Sequence, residues 1–308
     1  MKLTFLCSSA LLMLLLFSCE SGKSGNTNDG TDSVKTDTVV VAPEPVAPIY
    51  NSPEGAVSDG EFLYVSNLGV ERAPSVKDGD GRIMKLNMEA NDWLDKDKWA
   101  ALKLDAPKGM GVIGRTLYVT DIDRVVAIDL DKVEQKGVVD FSSVKTSFLN
   151  DIAVMNDSTL LVSGTDVNAI FKVNVNTMAF EKMKTGKLNG PNGLVYSSED
   201  GKIYCVEYGS KANAAGRILA IDANSGAIKQ IGEHTGGLDG LAMNSDGGLL
   251  FTDWNIAHLA KVGMDNGSKV TELSDSIQGP ADFYFDVKTK RKYVPAMLED
   301  TLHIVTVE

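Results

Sequence analysis

Four oxygen-bearing side chains stand in closely similar local settings. They are Glu54 in Pro53-Glu54-Gly55, Asn150 in Leu149-Asn150-Asp151, Asn192 in Pro191-Asn192-Gly193 and Asp239 in Leu238-Asp239-Gly240. Two further segments, Gly109-Met110-Gly111 and Pro280-Ala281-Asp282, look alike but offer no oxygen at the middle position. Two carboxylates and two amides are hard donors, and together they suit a hard divalent cation such as Ca²⁺ or Mg²⁺ with water completing the shell. They do not suit a zinc centre built on imidazole and thiolate. The histidines His234, His258 and His303 show no ligand-like spacing and read as surface or blade residues. Asn-Gly and Asp-Gly are also the commonest hairpin turns. Position argues against that reading here, because each motif lies about five to eight residues ahead of the turn that ends its own apolar run and so opens a strand.

The elements that must bring these residues together repeat along the chain. A strand of the form apolar-aromatic-apolar-small-polar recurs as LYVSN (63–67), LYVTD (117–121), LLVSG (160–164), IYCVE (203–207), LLFTD (249–253) and KYVPA (292–296). The starting points lie 54, 43, 43, 46 and 43 residues apart, and each copy is followed by a second β-rich run such as VVAIDL (125–130) or GRILAID (216–222). Short strands at this even spacing predict propeller blades. The six copies predict an all-β, six-bladed β-propeller with a central channel, spanning 38–308. The innermost strand of each blade lines such a channel, so Glu54, Met110, Asn150, Asn192, Asp239 and Ala281 are expected to form a ring at one mouth. The stretch 89–102 reads as a helical insertion on a loop, and residues 38–41 as a strand lent to the last blade to close the ring.

With these motifs in view, SPEGAV (52–57), Asn150-Asp151, GPNGLVYS (190–197) and GLDGLAMNSDG (237–247) resemble the senescence marker protein/gluconolactonase family. That family includes regucalcin, bacterial lactonases and luciferin-regenerating enzymes. The resemblance covers about 53–308. It implies a divalent metal held by Glu54, Asn192 and Asp239, Ca²⁺ first, with Mg²⁺, Mn²⁺ or Zn²⁺ the other options. It implies further that Asn150 lies beside the metal and touches substrate, and that Asp239 activates water for hydrolysis of a lactone or related cyclic ester. Family lactonases often carry an arginine two residues before the Asn-Asp pair, where this chain has Phe148. An apolar ring cannot fork hydrogen bonds to a hydroxylated sugar, so Phe148 as a substrate contact points to aliphatic or aromatic lactones. The other reading is a non-catalytic platform that binds a ligand or protein across its mouth and keeps the metal for rigidity. Fold alone does not separate the two.

Composition and the N-terminus bound the rest. The 30 basic and 42 acidic residues give a net charge of −12, which disfavours nucleic acid as a partner. Lys2 followed by an apolar run to residue 17 predicts a signal peptide over 1–18. Its end, Leu16-Phe17-Ser18-Cys19, resembles a bacterial lipobox, so Cys19 is expected to carry a lipid that holds the protein to a membrane of the cell envelope. Residues 19–37 are rich in Ser, Gly, Asn, Asp and Thr, and read as a flexible tether. Cys205, among Ile203, Tyr204 and Val206, reads as a small core residue. No Gly-x-Ser-x-Gly elbow of a serine esterase occurs.

Overall fold

The computed structural model describes residues 50–89, 91–209, 215–265 and 269–306. The expected signal peptide, the lipidated Cys19, the tether and the closing strand at 38–41 lie outside them. The described chain forms a six-bladed β-propeller, each blade an antiparallel sheet whose strands pair in chain order. Blades 1 to 5 have four strands each, and blade 6 has three among the described residues. The inner strands are Pro53–Ser58, Pro107–Ile113, Leu149–Asn156, Pro191–Ser197, Leu238–Met243 and Tyr284–Asp286.

The repeated LYVSN-type segment is the second strand of each blade, and it is buried on both faces because a neighbouring blade covers each side. Thr116–Asp121 and Leu249–Asp253 are buried throughout. The core is accordingly divided into clusters between adjacent blades. Tyr64 and Ile83 pack with Leu117 and Val126 between blades 1 and 2, and Leu63 and Leu86 pack with Tyr293 and Leu302 where blade 6 meets blade 1. The ring is also closed at the channel, where Asp282 N donates to Glu54 O at 3.0 Å.

The small-polar ending of the repeat has two tasks. The hydroxyl at its fourth place ties one inner strand to the next: Ser66 Oγ donates to Lys108 O at 2.7 Å, Thr252 Oγ1 to Ala281 O at 3.0 Å, and Thr120 Oγ1 to Asn150 O. The polar group at its fifth place holds the loop that leads into its own inner strand. Asn67 Oδ1 accepts from Asn51 N at 3.0 Å, Asp121 Oδ1 from Ala106 N at 2.7 Å, and Glu207 Oε1 from Asn189 N at 2.7 Å. Arg124 and Arg217 neutralise two of these buried carboxylates at 2.6 and 2.7 Å. Buried charges are tolerated when paired in this way.

The stretch 89–102 differs from expectation. It contains blade 1's outer strand, Trp93–Leu94, and only one short helix, Lys96–Ala100. Trp99 of that helix is fully buried, with its ring 5.4 Å from Tyr64. Burial of this indole fixes the segment against the blade edge. Cys205 is buried and free, and burial pushes its thiol up, as a core residue requires. Among the described residues no helix is long and apolar enough to cross a membrane.

Candidate functional site

Register fixes which residues are equivalent from blade to blade. Pro53 pairs with Asn67, Pro107 with Asp121, Leu149 with Gly164, Pro191 with Glu207 and Leu238 with Asp253. Immediately after each pair the register shifts, the mark of a β-bulge. A bulge re-aims the next side chain and is common beside functional sites. The residues that follow are Glu54, Lys108, Asn150, Asn192 and Asp239, all lining one cavity of about 760 Å³ at a mouth of the channel. The expected Met110 is therefore displaced from the ring by Lys108, two residues earlier. Met110 lies instead on the wall of a narrower cavity of about 260 Å³, together with Asp151, Leu194 and Asp282.

The glycines after the ring residues are spacing devices rather than turn residues. A Cβ on Gly193 would stand 2.3 Å from Asp239 O, and one on Gly55 would stand 2.8 Å from Lys108 O. Neighbouring inner strands can approach this closely only where no side chain intervenes, which draws the ring residues together.

Four buried oxygens in the ring have no hydrogen-bond partner among the described residues: Glu54 Oε2, Asn150 Oδ1, Asn192 Oδ1 and Asp239 Oδ1. Each comes from a different blade. Unsatisfied buried acceptors are rare in folded proteins and costly, at about 1–3 kcal/mol each. Their chemistry, two carboxylates and two amides, fits a hard divalent cation. Among the described residues no group of three or more His, Cys, Asp or Glu side chains is placed to hold a metal, so any such ion would depend on the two amides as well as the two carboxylates.

The electrostatics agree with carboxyl groups buried in excess of their counter-charge. Burial holds the Glu54 carboxyl well above its usual range, and the charge of Asp239 adds to the effect. Burial raises Asp239 to about 7, against a hydrogen bond from Trp254 Nε1 that reaches its Oδ2 at 2.7 Å and lowers it. Lys108 is wholly buried, and burial lowers it to about 8, with Glu54's charge acting in the opposite sense. Its Nζ donates to Pro74 O at 2.7 Å and Ala106 O at 3.0 Å, and stands 4.9 Å from the centre of the Phe148 ring.

The cavity above the ring is largely apolar. Phe148, Tyr208, Trp254, Leu68, Pro74 and Met297 form its walls, and Tyr208 meets Trp254 edge to face at 6.2 Å. Phe148 lines this cavity, and Lys108 brings a cation to the corner that looks apolar in sequence. The histidines lie elsewhere: His234 Nε2 bonds Asp253 at 2.8 Å, and His303 Nε2 bonds Glu299 at 2.6 Å. Sequence reading missed Lys108, Tyr208 and Trp254. Pro107-Lys108-Gly109 has the same Pro-x-Gly frame as Pro53-Glu54-Gly55 and Pro191-Asn192-Gly193, and that frame would have found the lysine.

No protein-family model matches the chain, and no curated protein does. Solved structures do. A catalytically inactive virginiamycin B lyase from Staphylococcus aureus with quinupristin is similar over 86% of this chain and 98% of its own, at 16% identity and a TM-score of 0.57. Hydrazine synthase of Kuenenia stuttgartiensis is similar over 83% of this chain and 77% of its own, at 16% identity and a TM-score of 0.56. The extracellular domain of a putative one-component system from B. thetaiotaomicron matches over 82% of this chain at 14% identity and a TM-score of 0.56. The match spans about a third of that larger protein, 32%. At such identities the likeness carries the fold and no more. The protein is a β-propeller of six blades with its polar ring at the foot of an apolar cavity.

Proposed function

We propose that this chain is a divalent-cation-dependent hydrolase of a lactone or related cyclic ester, exported to the bacterial cell envelope and anchored through a lipid on Cys19. The observation that carries the reading is the set of four partnerless oxygens, Glu54 Oε2, Asn150 Oδ1, Asn192 Oδ1 and Asp239 Oδ1, at the foot of one cavity. Glu54, Asn192 and Asp239 would hold the cation, and Asn150 would lie beside it. When bound, the cation supplies Lewis-acid polarisation of the substrate carbonyl.

The remaining work falls to the side chains. Trp254 Nε1 fixes Asp239 through Oδ2, which leaves Oδ1 directed to the site. Asp239 takes a proton from the attacking water as general base. Asn150 is steadied by its Nδ2, which donates to Thr165 Oγ1 at 3.3 Å, and orients the ester. Phe148, Tyr208 and Trp254 take the apolar part of the substrate and exclude water from the reacting bond.

The test is a panel of aliphatic, aromatic and polyhydroxylated lactones, assayed with each of Ca²⁺, Mg²⁺, Mn²⁺ and Zn²⁺. Turnover of an apolar lactone that stops on chelation supports the reading. A wild-type chain that binds a cation yet turns over none of the panel is a binding platform and not a hydrolase. The anchor has its own test: in a bacterium, Cys19→Ala should release the protein from membranes, and unchanged membrane association would refute the lipid.

A further inference from the structure

The wide cavity contains a cation that the hydrolase reading does not use. Lys108 is wholly buried, and no carboxylate among the described residues lies within ion-pair distance of its Nζ. Its neighbours are the neutral carbonyls of Pro74 and Ala106 and the face of Phe148. Three anions exert a field on it from farther away: Glu54, Asp121 and Asp166. Two of them are engaged elsewhere. Asp121 is bound to Arg124 and to the main-chain N–H groups of Asp105 and Ala106. Asp166, on the exposed rim, accepts from Thr146 Oγ1 and Ser147 N. Glu54 faces the site with an oxygen of its own unsatisfied.

An ammonium removed from water without a counter-ion is costly. A divalent cation held by Glu54 and Asp239 would neutralise both carboxylates and leave the lysine's charge uncompensated. The interior then has room for one negative charge, next to a wall of Phe148, Tyr208 and Trp254. We propose that Lys108 makes this cavity selective for ligands that carry a carboxylate or similar anionic oxygen on an apolar, preferably aromatic, body. Lys108 is in this role a specificity residue. The inference rests on reading the cavity as the ligand site with its two carboxylates neutralised, by a cation or by protons, but not on hydrolysis.

The test is calorimetric titration of the full-length chain at pH 7 with 3-phenylpropionate and with its neutral counterpart 3-phenylpropanamide, with chelator and with Ca²⁺. A charge-assisted contact in a buried site leads us to expect the carboxylate to bind about 10-fold or more tightly than the amide. Lys108→Met should bring the two within about 2-fold, and Phe148→Ala should weaken both probes while preserving their ratio. Equal binding of the two probes by wild type overturns the proposal whatever the variants do, so it stays exposed even if Lys108→Met fails to fold. A preference that survives in Lys108→Met and requires Ca²⁺ belongs to the metal and also overturns it. A Lys108-dependent preference in a chain that binds no cation upholds the proposal while the hydrolase reading falls.

Discussion

The channel holds buried carboxyl groups at both of its ends, and they differ in one respect. At the wide mouth, Glu54 and Asp239 each keep an oxygen without a partner. At the narrow end, Asp151 is fully engaged: its Oδ2 accepts from Leu194 N and its Oδ1 from Ile152 N, both at 2.6 Å. Burial raises all of these groups, yet main-chain N–H donors pull Asp151 back to about 6. Asn150 and Asp151 are adjacent in the chain, and they face the two different cavities. The satisfied carboxylate joins blades 3 and 4 and has finished its work in the fold. The unsatisfied ones have a deficit that a ligand can fill.

This contrast predicts that mutations at the two ends fail differently. The largest effect is expected at the wide mouth. Asp239→Asn should lower lactone hydrolysis by about 10²-fold or more through loss of the base, while retaining more bound metal than Asp239→Ala, because the amide oxygen still coordinates. Parallel loss of metal and activity in both variants would remove the separate role of base. At the narrow end, Asp151→Ala leaves two buried N–H groups unpaired and should cost about 2–4 kcal/mol of stability in denaturant unfolding. Metal per folded chain should change little. Loss of metal without loss of stability would erase the distinction between the two ends.

A smaller, pH-dependent effect follows from the raised carboxyl groups. A carboxyl whose folded pKa is raised above its unfolded value stabilises the fold at low pH, and that stabilisation is lost as pH rises through the folded value. In chelator, the melting temperature should therefore fall between about pH 4 and pH 7, as Asp151 titrates near 6 and Asp239 near 7. Added Ca²⁺ should reverse the Asp239 part at pH 7.5. A melting curve indifferent to Ca²⁺ would count against the wide mouth as a cation site. The smallest effect is expected for Trp254→Phe, which removes the hydrogen bond that lowers Asp239. Activity should fall by only about 3- to 10-fold, and the acid limb of the pH–rate profile should move to higher pH. An unmoved limb would mean that Trp254 is merely a wall.

Much of the architecture was legible because the propeller writes itself in spacing. The second strands recur with an aromatic or leucine and buried apolar neighbours, and in most copies with a polar latch such as Ser66-Asn67, Thr120-Asp121 or Thr252-Asp253. Glu54, Asn150, Asn192 and Asp239 were legible for the same reason, since one local frame places them all in one register. Lys108 was not, because a ring read as oxygen donors gave no reason to include a cation, and Gly109-Met110-Gly111 offered a competing frame two residues on. Trp93–Leu94 is too short to show a β period, so the outer strand of blade 1 was hidden within a helical pattern. Tyr208 and Trp254 fall just past the ends of their strands, where no periodicity signals which way a side chain turns.

We propose that the partnerless oxygens of Glu54, Asn192 and Asp239 hold one cation, with that of Asn150 beside it. The most direct test is a calorimetric titration of metal-free protein with Ca²⁺, repeated with Mg²⁺, Mn²⁺ and Zn²⁺, in wild type and in Glu54→Gln, Asn192→Ala and Asp239→Ala. One ion is expected per wild-type chain, with affinity lowered at least about 10-fold in every variant. Absence of binding for all four ions, or binding that none of the three substitutions weakens, would contradict it.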